Sequence, residues 1–300
     1  MERRDFLAGA GALALGGVLQ AAQDKGGLRL AMNQATSMNT DFRAAMEGYA
    51  RAGFRCVEPW ISKIDEFAAR ESLAVARRIL GDTGLTPVCA CTQGGIVEPL
   101  PASEQAKNFD QLKHKLEVCA ALGIPRLVVH SVGRDKYTAA DYGPAAERLR
   151  KAADMAQPLR AMIVFEFVRG TAFCGSLSTS VHILGKANHP NARMLIDLSH
   201  FWGGFSKFED LELLKEGEPE HVHINDLPAG VPREILTDRD RVAPGEGVIP
   251  IRRIVRVLRQ KKYKGAFSIE LFDPRFQKGD PYEVALQLRK AAEKVVTSDQ

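Results

Sequence analysis

The chain has 300 residues, 45% of them apolar and 26% charged, with a formal net charge of +4. This composition excludes fibrous and disordered classes. Lys and Arg are interspersed with Asp and Glu and form no basic arm or stripe, so nucleic acid is not an expected partner. No apolar run reaches the roughly 18 residues of a membrane span, so no stable membrane association is expected either.

At the N-terminus, Arg3-Arg4-Asp5-Phe6-Leu7 precedes a mild apolar run from Leu7 to Leu19 that is rich in Ala and Gly. This segment resembles a twin-arginine export signal, with Ala21 and Ala22 as cleavage positions. Residues 1–25 are therefore assigned to a signal peptide and linker, and residues 26–300 to one folded domain. The expected location is periplasmic or otherwise exported, or cytoplasmic if the signal does not function.

From Leu28 onward, short apolar runs alternate with longer segments of helical period. Leu28 to Met32, Cys56 to Trp60, Pro87 to Cys91 and Arg126 to His130 predict four strands. Met162 to Val168, Met194 to Leu198, His221 to Ile224 and Phe267 to Phe272 predict four more. Between them, Phe67 to Leu80, Lys107 to Leu122, Ala145 to Ala156, Ile251 to Arg259 and Tyr282 to Val295 space apolar residues three and four apart, as amphipathic helices do. Gly84, Gly123 and Gly265 precede strands where helices must end. Eight parallel strands joined by right-handed helical crossovers close into a (β/α)8 TIM barrel, typically about 250 residues in a single domain. An open doubly wound sheet is the alternative. The five cysteines, Cys56, Cys89, Cys91, Cys119 and Cys174, are odd in number and sit in apolar surroundings, which argues for small core residues and against a complete disulfide framework.

A TIM barrel builds its site at the C-terminal ends of its strands, so polar residues that end an apolar run carry the most information. Here those are Glu58 and Trp60 on strand two, His130 on strand four, Glu166 on strand five, Asp197 and His200 on strand six, His221 and His223 on strand seven, and Glu270 on strand eight. Glu166 lies between phenylalanines and Glu270 between Ile269 and Leu271, where a lone charge is costly unless a cation or hydrogen bonds offset it. Glu166, Asp197, His223 and Glu270 together make a mixed oxygen and nitrogen donor set suited to one divalent ion, Mn²⁺, Mg²⁺, Co²⁺ or Zn²⁺. His221 and His223 share a strand face, and either can be the ligand; His223 is preferred because it is nearer the strand end, with His221 packing or supporting it. His200 is a further ligand or a substrate contact. His114, His182 and His189 carry no such signal.

Taken in order, Asp197-x-x-His200, His221-Val222-His223-Ile224-Asn225-Asp226, Pro244-Gly245-Glu246-Gly247 with Val248-Ile249-Pro250, and Ser268-Ile269-Glu270 resemble the xylose isomerase-like TIM-barrel superfamily over roughly Leu28 to Val295. The resemblance implies a single-metal site at Glu166, Asp197, His223 and Glu270, with Glu166 and Glu270 also exchanging protons with a substrate carbon on opposite faces. It makes His200 a substrate contact, and it places a substrate-binding arginine in the loop after strand seven, where Arg233, Arg239 and Arg241 lie and Arg239 and Arg241 are favoured by their nearness to the Gly-Glu-Gly turn. Glu58, Trp60 and His130, with Asn33, Gln34 and Gln93, are further candidate substrate contacts from the other loops.

The implied activity is isomerisation or epimerisation of a keto-sugar through an enediolate, on a small-molecule carbohydrate, by a homodimer or homotetramer. A lyase or dehydratase acting on a keto-sugar, keto-inositol or 3-keto-glycoside shares the first step and is the alternative. A non-catalytic sugar-binding barrel is a lesser one. An endonuclease IV-like repair enzyme is disfavoured because its extra zinc ligands are missing: the third strand ends Cys91-Thr92-Gln93 in place of a histidine, and Arg239-Asp240-Arg241 replaces Asp-x-His.

Overall fold

The computed structural model describes residues 29–133 and 137–297. The export signal read at Arg3-Arg4 and the apolar run after it lie outside the described residues. The strands are β1 (Arg29–Asn33), β2 (Cys56–Glu58), β3 in two stretches (Thr86–Pro87 and Ala90–Gly94), β4 (Arg126–His130), β5 (Met162–Glu166), β6 (Ala192–Asp197), β7 (His221–Ile224) and β8 (Ala266–Ile269). All pair in parallel. The first stretch of β3 pairs with β2 and the second with β4, so the two ends of the sheet are one strand, and a bridge between Trp60 and Cys91 draws them together. The result is a nearly closed parallel barrel ringed by helices, the (β/α)8 fold.

Several boundaries differ from the sequence reading, among them β2, which ends at Glu58 instead of Trp60, and β6, which runs Ala192–Asp197 instead of Met194–Leu198. β3 is interrupted because Pro87 has no N–H to continue the ladder. β5 stops at Glu166 instead of Val168: Ser131 N still bonds Glu166 O at 2.9 Å, but Val168 N turns away to Cys174 O at 3.0 Å. β8 stops at Ile269 instead of Phe272, because Leu271 N leaves the sheet for the Thr36 hydroxyl at 3.1 Å. The single helix expected over Phe67 to Leu80 is two, Ile61–Ala68 and Leu73–Asp82, the second started by the Ser72 side chain accepting from Val75 N at 3.2 Å.

Strand alternation decides what faces the barrel axis. Val128, Val164, Leu195, Cys89 and Cys91 form a small interior cluster, while their neighbours Leu127, Val129, Ile163, Phe165 and Ile196 pack outward under the helices. Two residues further along the same inward face stand His130, Glu166 and Asp197; Glu58, His223 and Glu270 follow Cys56, His221 and Ser268 in the same way. The polar end of the barrel is thus a continuation of its core face. All five cysteines are buried. Among the described residues, no helix is long and apolar enough to cross a membrane.

Candidate metal centre and its cavity

Glu166 and Asp197 end β5 and β6, His223 stands one residue inside the end of β7, and Glu270 follows β8 directly. Asp197 and His223 are register partners on adjacent strands. The four residues are buried, and one donor atom from each lies within 4.8 Å of the other three. His223 Nδ1 faces Glu270 Oε2 at 3.2 Å, Glu166 Oε1 at 3.4 Å and Asp197 Oδ2 at 3.8 Å.

The outer atoms of this set are tied down from behind. His223 Nε2 donates to Glu58 Oε1 at 3.1 Å and His221 Nε2 to Glu58 Oε2 at 2.9 Å, while the Cys91 thiol lies 3.3 Å from Glu58 Oε1. Burial alone would raise the Glu58 carboxyl, but His223 and His221 outweigh it and hold it well below the usual range. Glu58 is therefore a buried carboxylate that fixes the His223 tautomer and leaves Nδ1 as the inward atom. Asp197 Oδ1 caps the helix Leu198–Gly203, accepting from His200 N at 2.9 Å and the Ser199 hydroxyl at 2.6 Å. Its Oδ2 accepts from Asn225 Nδ2 at 2.8 Å and Arg241 Nη1 at 3.0 Å.

Glu166 Oε1 and His223 Nδ1 are buried and have no hydrogen-bond partner. Burial, reinforced by Glu270 and Asp197 and partly offset by His223, pushes the Glu166 carboxyl up to about 7. Burial opposes charge on His223, yet Glu270 and Glu58 raise its pKa well above the usual histidine range. Three converging carboxylates, with Arg241 the nearby guanidinium, demand positive charge at this point. Two unpaired atoms aimed at one place, within a set of three oxygens and one nitrogen, fit a divalent cation.

A cavity of about 930 Å³ opens above the four residues and is lined at its floor by Glu166, His200, Arg241 and Glu270. Arg241 is fully buried; Nη1 donates to Glu270 Oε2 at 2.7 Å and Nη2 to Asp238 Oδ1 at 3.0 Å. Arg241 Nη2 also stands 3.3 Å from His200 Nε2. A guanidinium only donates, so Nε2 accepts and Nδ1 of His200 carries the proton, buried and unpaired. Burial lowers the His200 pKa and keeps the ring neutral.

The other sequence candidates divide. His130 and Trp60 line the cavity; burial and His200 push His130 down to about 4, so it too is neutral at pH 7. Glu58 does not reach the cavity, because both its oxygens are taken by the histidines behind the centre. Arg239 is exposed and points away from the cavity wall, whereas Arg241 enters it and Arg233, given less weight from sequence, lies at the rim over the Trp202 ring at 5.4 Å. Asn33 Nδ2 donates to Glu270 Oε1 (3.2 Å), Gln34 Oε1 accepts from the Trp60 N–H (3.3 Å) and Gln93 Nε2 donates to Gly94 O (2.7 Å), and none of the three lines the cavity. Two contributors were not anticipated. Arg169, three residues after Glu166, lines the cavity and donates to Leu236 O at 2.6 Å; the rule that selected His200 after Asp197 would have found it. Asp226 gathers the N–H groups of Leu227, Gly245, Gly247 and Ile249 at 2.8–3.0 Å, which is why the Asn-Asp and Gly-Glu-Gly motifs occur together. A Cβ at Gly247 would sit 2.1 Å from Leu227 O, so only glycine fits that approach.

With fold and site in place, comparison with known proteins gives a family. Residues 47–293 match the model of the xylose isomerase-like TIM barrel, and the chain belongs to that family. It is 25% identical to an inosose isomerase of Halalkalibacterium halodurans over 255 residues, covering 83% of this chain and 89% of that protein. An inosose isomerase of Bacillus subtilis is also 25% identical, over 90% of this chain and 98% of its own length. Among solved structures, an IolI protein with a bound zinc atom superposes with a TM-score of 0.84 at 22% identity, over 90% of this chain and 98% of that one.

Proposed function

We propose that this protein is a metal-dependent keto-sugar isomerase or epimerase that moves a proton through an enediolate of its substrate. The observation that carries the reading is the convergence of Glu166, Asp197, His223 and Glu270, with two of their atoms buried and unpaired, at the floor of a cavity that also presents His200 and Arg241. The inosose isomerase names of its relatives support a carbonyl-bearing polyol as substrate class. A divalent cation held by the four residues would supply a Lewis acid that acidifies the C–H beside a ketone and offsets the charge of the enediolate.

The remaining work falls to the chain itself. Glu166, whose side chain lines the cavity floor, is the first proton-transfer group. Glu270 is the second proton-transfer group and is held by Arg241 Nη1 and Asn33 Nδ2. His200, which lines the cavity and carries an unpaired Nδ1–H, is the neutral group that contacts a substrate oxygen. The test is NMR-monitored exchange of the substrate α-proton with solvent deuterium, on unphosphorylated ketoses and keto-inositols, with metal added and with metal removed by chelation. Metal-dependent exchange is expected; exchange that survives chelation, or none across the panel, would overturn the proposal.

A further inference from the structure

The cavity is larger than its chemistry needs. At about 930 Å³ it lies in the upper part of the ~300–1,000 Å³ range typical of drug-sized ligands, well beyond a single sugar ring. Glu166, His200, Arg241 and Glu270 stand at its floor, while the mouth carries Phe205 and Ile235 beside Arg233, Glu234 and Thr237. Phe205 and Ile235 are the two most exposed large apolar side chains among the described residues, at 76% and 66%. Isolated exposed apolar residues are ordinary, but two at the entrance of one cavity mark a surface that a ligand covers.

Two guanidiniums of the wall are already paired within the protein. Arg169 is turned onto Leu236 O (2.6 Å) and Asp238 Oδ1 (3.5 Å), and Arg241 onto Asp197, Asp238 and Glu270. Arg233 lies over Trp202. Arg169 and Arg241 are thus held by the protein, while Phe205 and Ile235 bring apolar surface to a mouth that Arg233, Glu234 and Thr237 also line.

We propose that the mouth is a subsite for an apolar substituent, so that the substrate is a keto-glycoside with an apolar aglycone and not a free sugar. The sugar ring occupies the floor and the aglycone lies against Phe205 and Ile235. This rests on the keto-sugar reading above, and the experiment separates the two.

The probes are 3-keto-glucose, its methyl glycoside and its phenyl glycoside, with binding measured by calorimetry on the metal-loaded full chain and α-proton exchange measured in parallel. The phenyl glycoside is expected to bind about tenfold tighter than the methyl glycoside, as partial burial of a ring predicts. In the double variant Phe205→Ser and Ile235→Ser that ratio collapses to about one, with a melting temperature within a few degrees of the parent, since exposed side chains contribute little to folding. Equal binding of the two glycosides by the parent chain, or an unchanged ratio in the variant, overturns the subsite. So does sedimentation showing that the two substitutions convert an oligomer to a monomer, which would make the mouth a contact between copies of this chain. Absence of α-proton exchange on every probe removes the isomerase reading, while a retained phenyl preference still supports the subsite.

Discussion

At the floor of the cavity each side chain of the candidate metal site stands on a strand or within one residue of its end, and most are held from behind: Glu58 holds His223, Asn225 and Ser199 hold Asp197, and Asn33 and Arg241 hold Glu270. At the mouth, Phe205 and Ile235 stand on loops and are open to solvent. Rigid strand ends suit groups whose positions must hold to a fraction of an ångström, and loops suit groups that only need to cover a ligand. Substitutions at the floor should therefore change rate or metal affinity, and substitutions toward the mouth should change recognition.

The largest expected effect is at the floor itself. Glu270→Gln and Glu166→Gln should each lower the α-proton exchange rate by about 10²–10⁴-fold, as loss of a proton-transfer group does. Exchange at the parent rate in either variant would break the comparison. One layer back, Glu58→Gln cannot accept from both histidines, so metal affinity should fall about 10- to 100-fold while the KM for sugar at saturating metal stays near the parent value. Metal titration followed by calorimetry checks this; an unchanged affinity would show that His223 does not need its carboxylate. Between floor and mouth, Arg169→Ala removes the donor to Leu236 O and should raise KM about fivefold, the equivalent of one net hydrogen bond of about 1 kcal/mol. Its kcat should change little, and steady-state kinetics separates the two constants.

What the sequence made legible follows the same division. The barrel and its strand-end carboxylates could be read because apolar runs of alternating parity place Glu166, Asp197, His223 and Glu270 on one inward face. The role of Glu58 could not: it also ends a strand, and only the pairing across the barrel to His221 and His223 shows that it backs the candidate ligand His223 and does not reach the cavity. Arg239 and Arg241 are two residues apart in the same loop, and local pattern does not separate them. The 3-10 turn Asp238–Asp240, closed by Thr237 and Asp240, exposes Arg239 and sends Arg241 inward. Phe205 and Ile235 follow no periodicity, so their convergence on one cavity is a property of tertiary structure alone.

The smallest predicted effect concerns what anchors the mouth. Glu98, fully buried in the loop after β3, accepts from the Ser131 hydroxyl at 2.9 Å and Val132 N at 2.7 Å, and so holds the loop after β4 that lines the cavity. Burial, only partly offset by these hydrogen bonds, raises its carboxyl from 4.5 to about 6. A folded-state pKa above the unfolded one means the folded protein binds more protons between those values. The stability tied to protonated Glu98 is therefore present below pH 4.5 and lost as pH rises through about 6. The loss amounts to about 2 kcal/mol. Glu98→Gln copies the protonated form at every pH, so the melting temperature of the variant relative to the parent should rise between pH 4.5 and 7 by a few degrees, at roughly 2–4 °C per kcal/mol for a domain of this size. Parallel melting curves across that window would show that the loop is held by something other than this carboxyl.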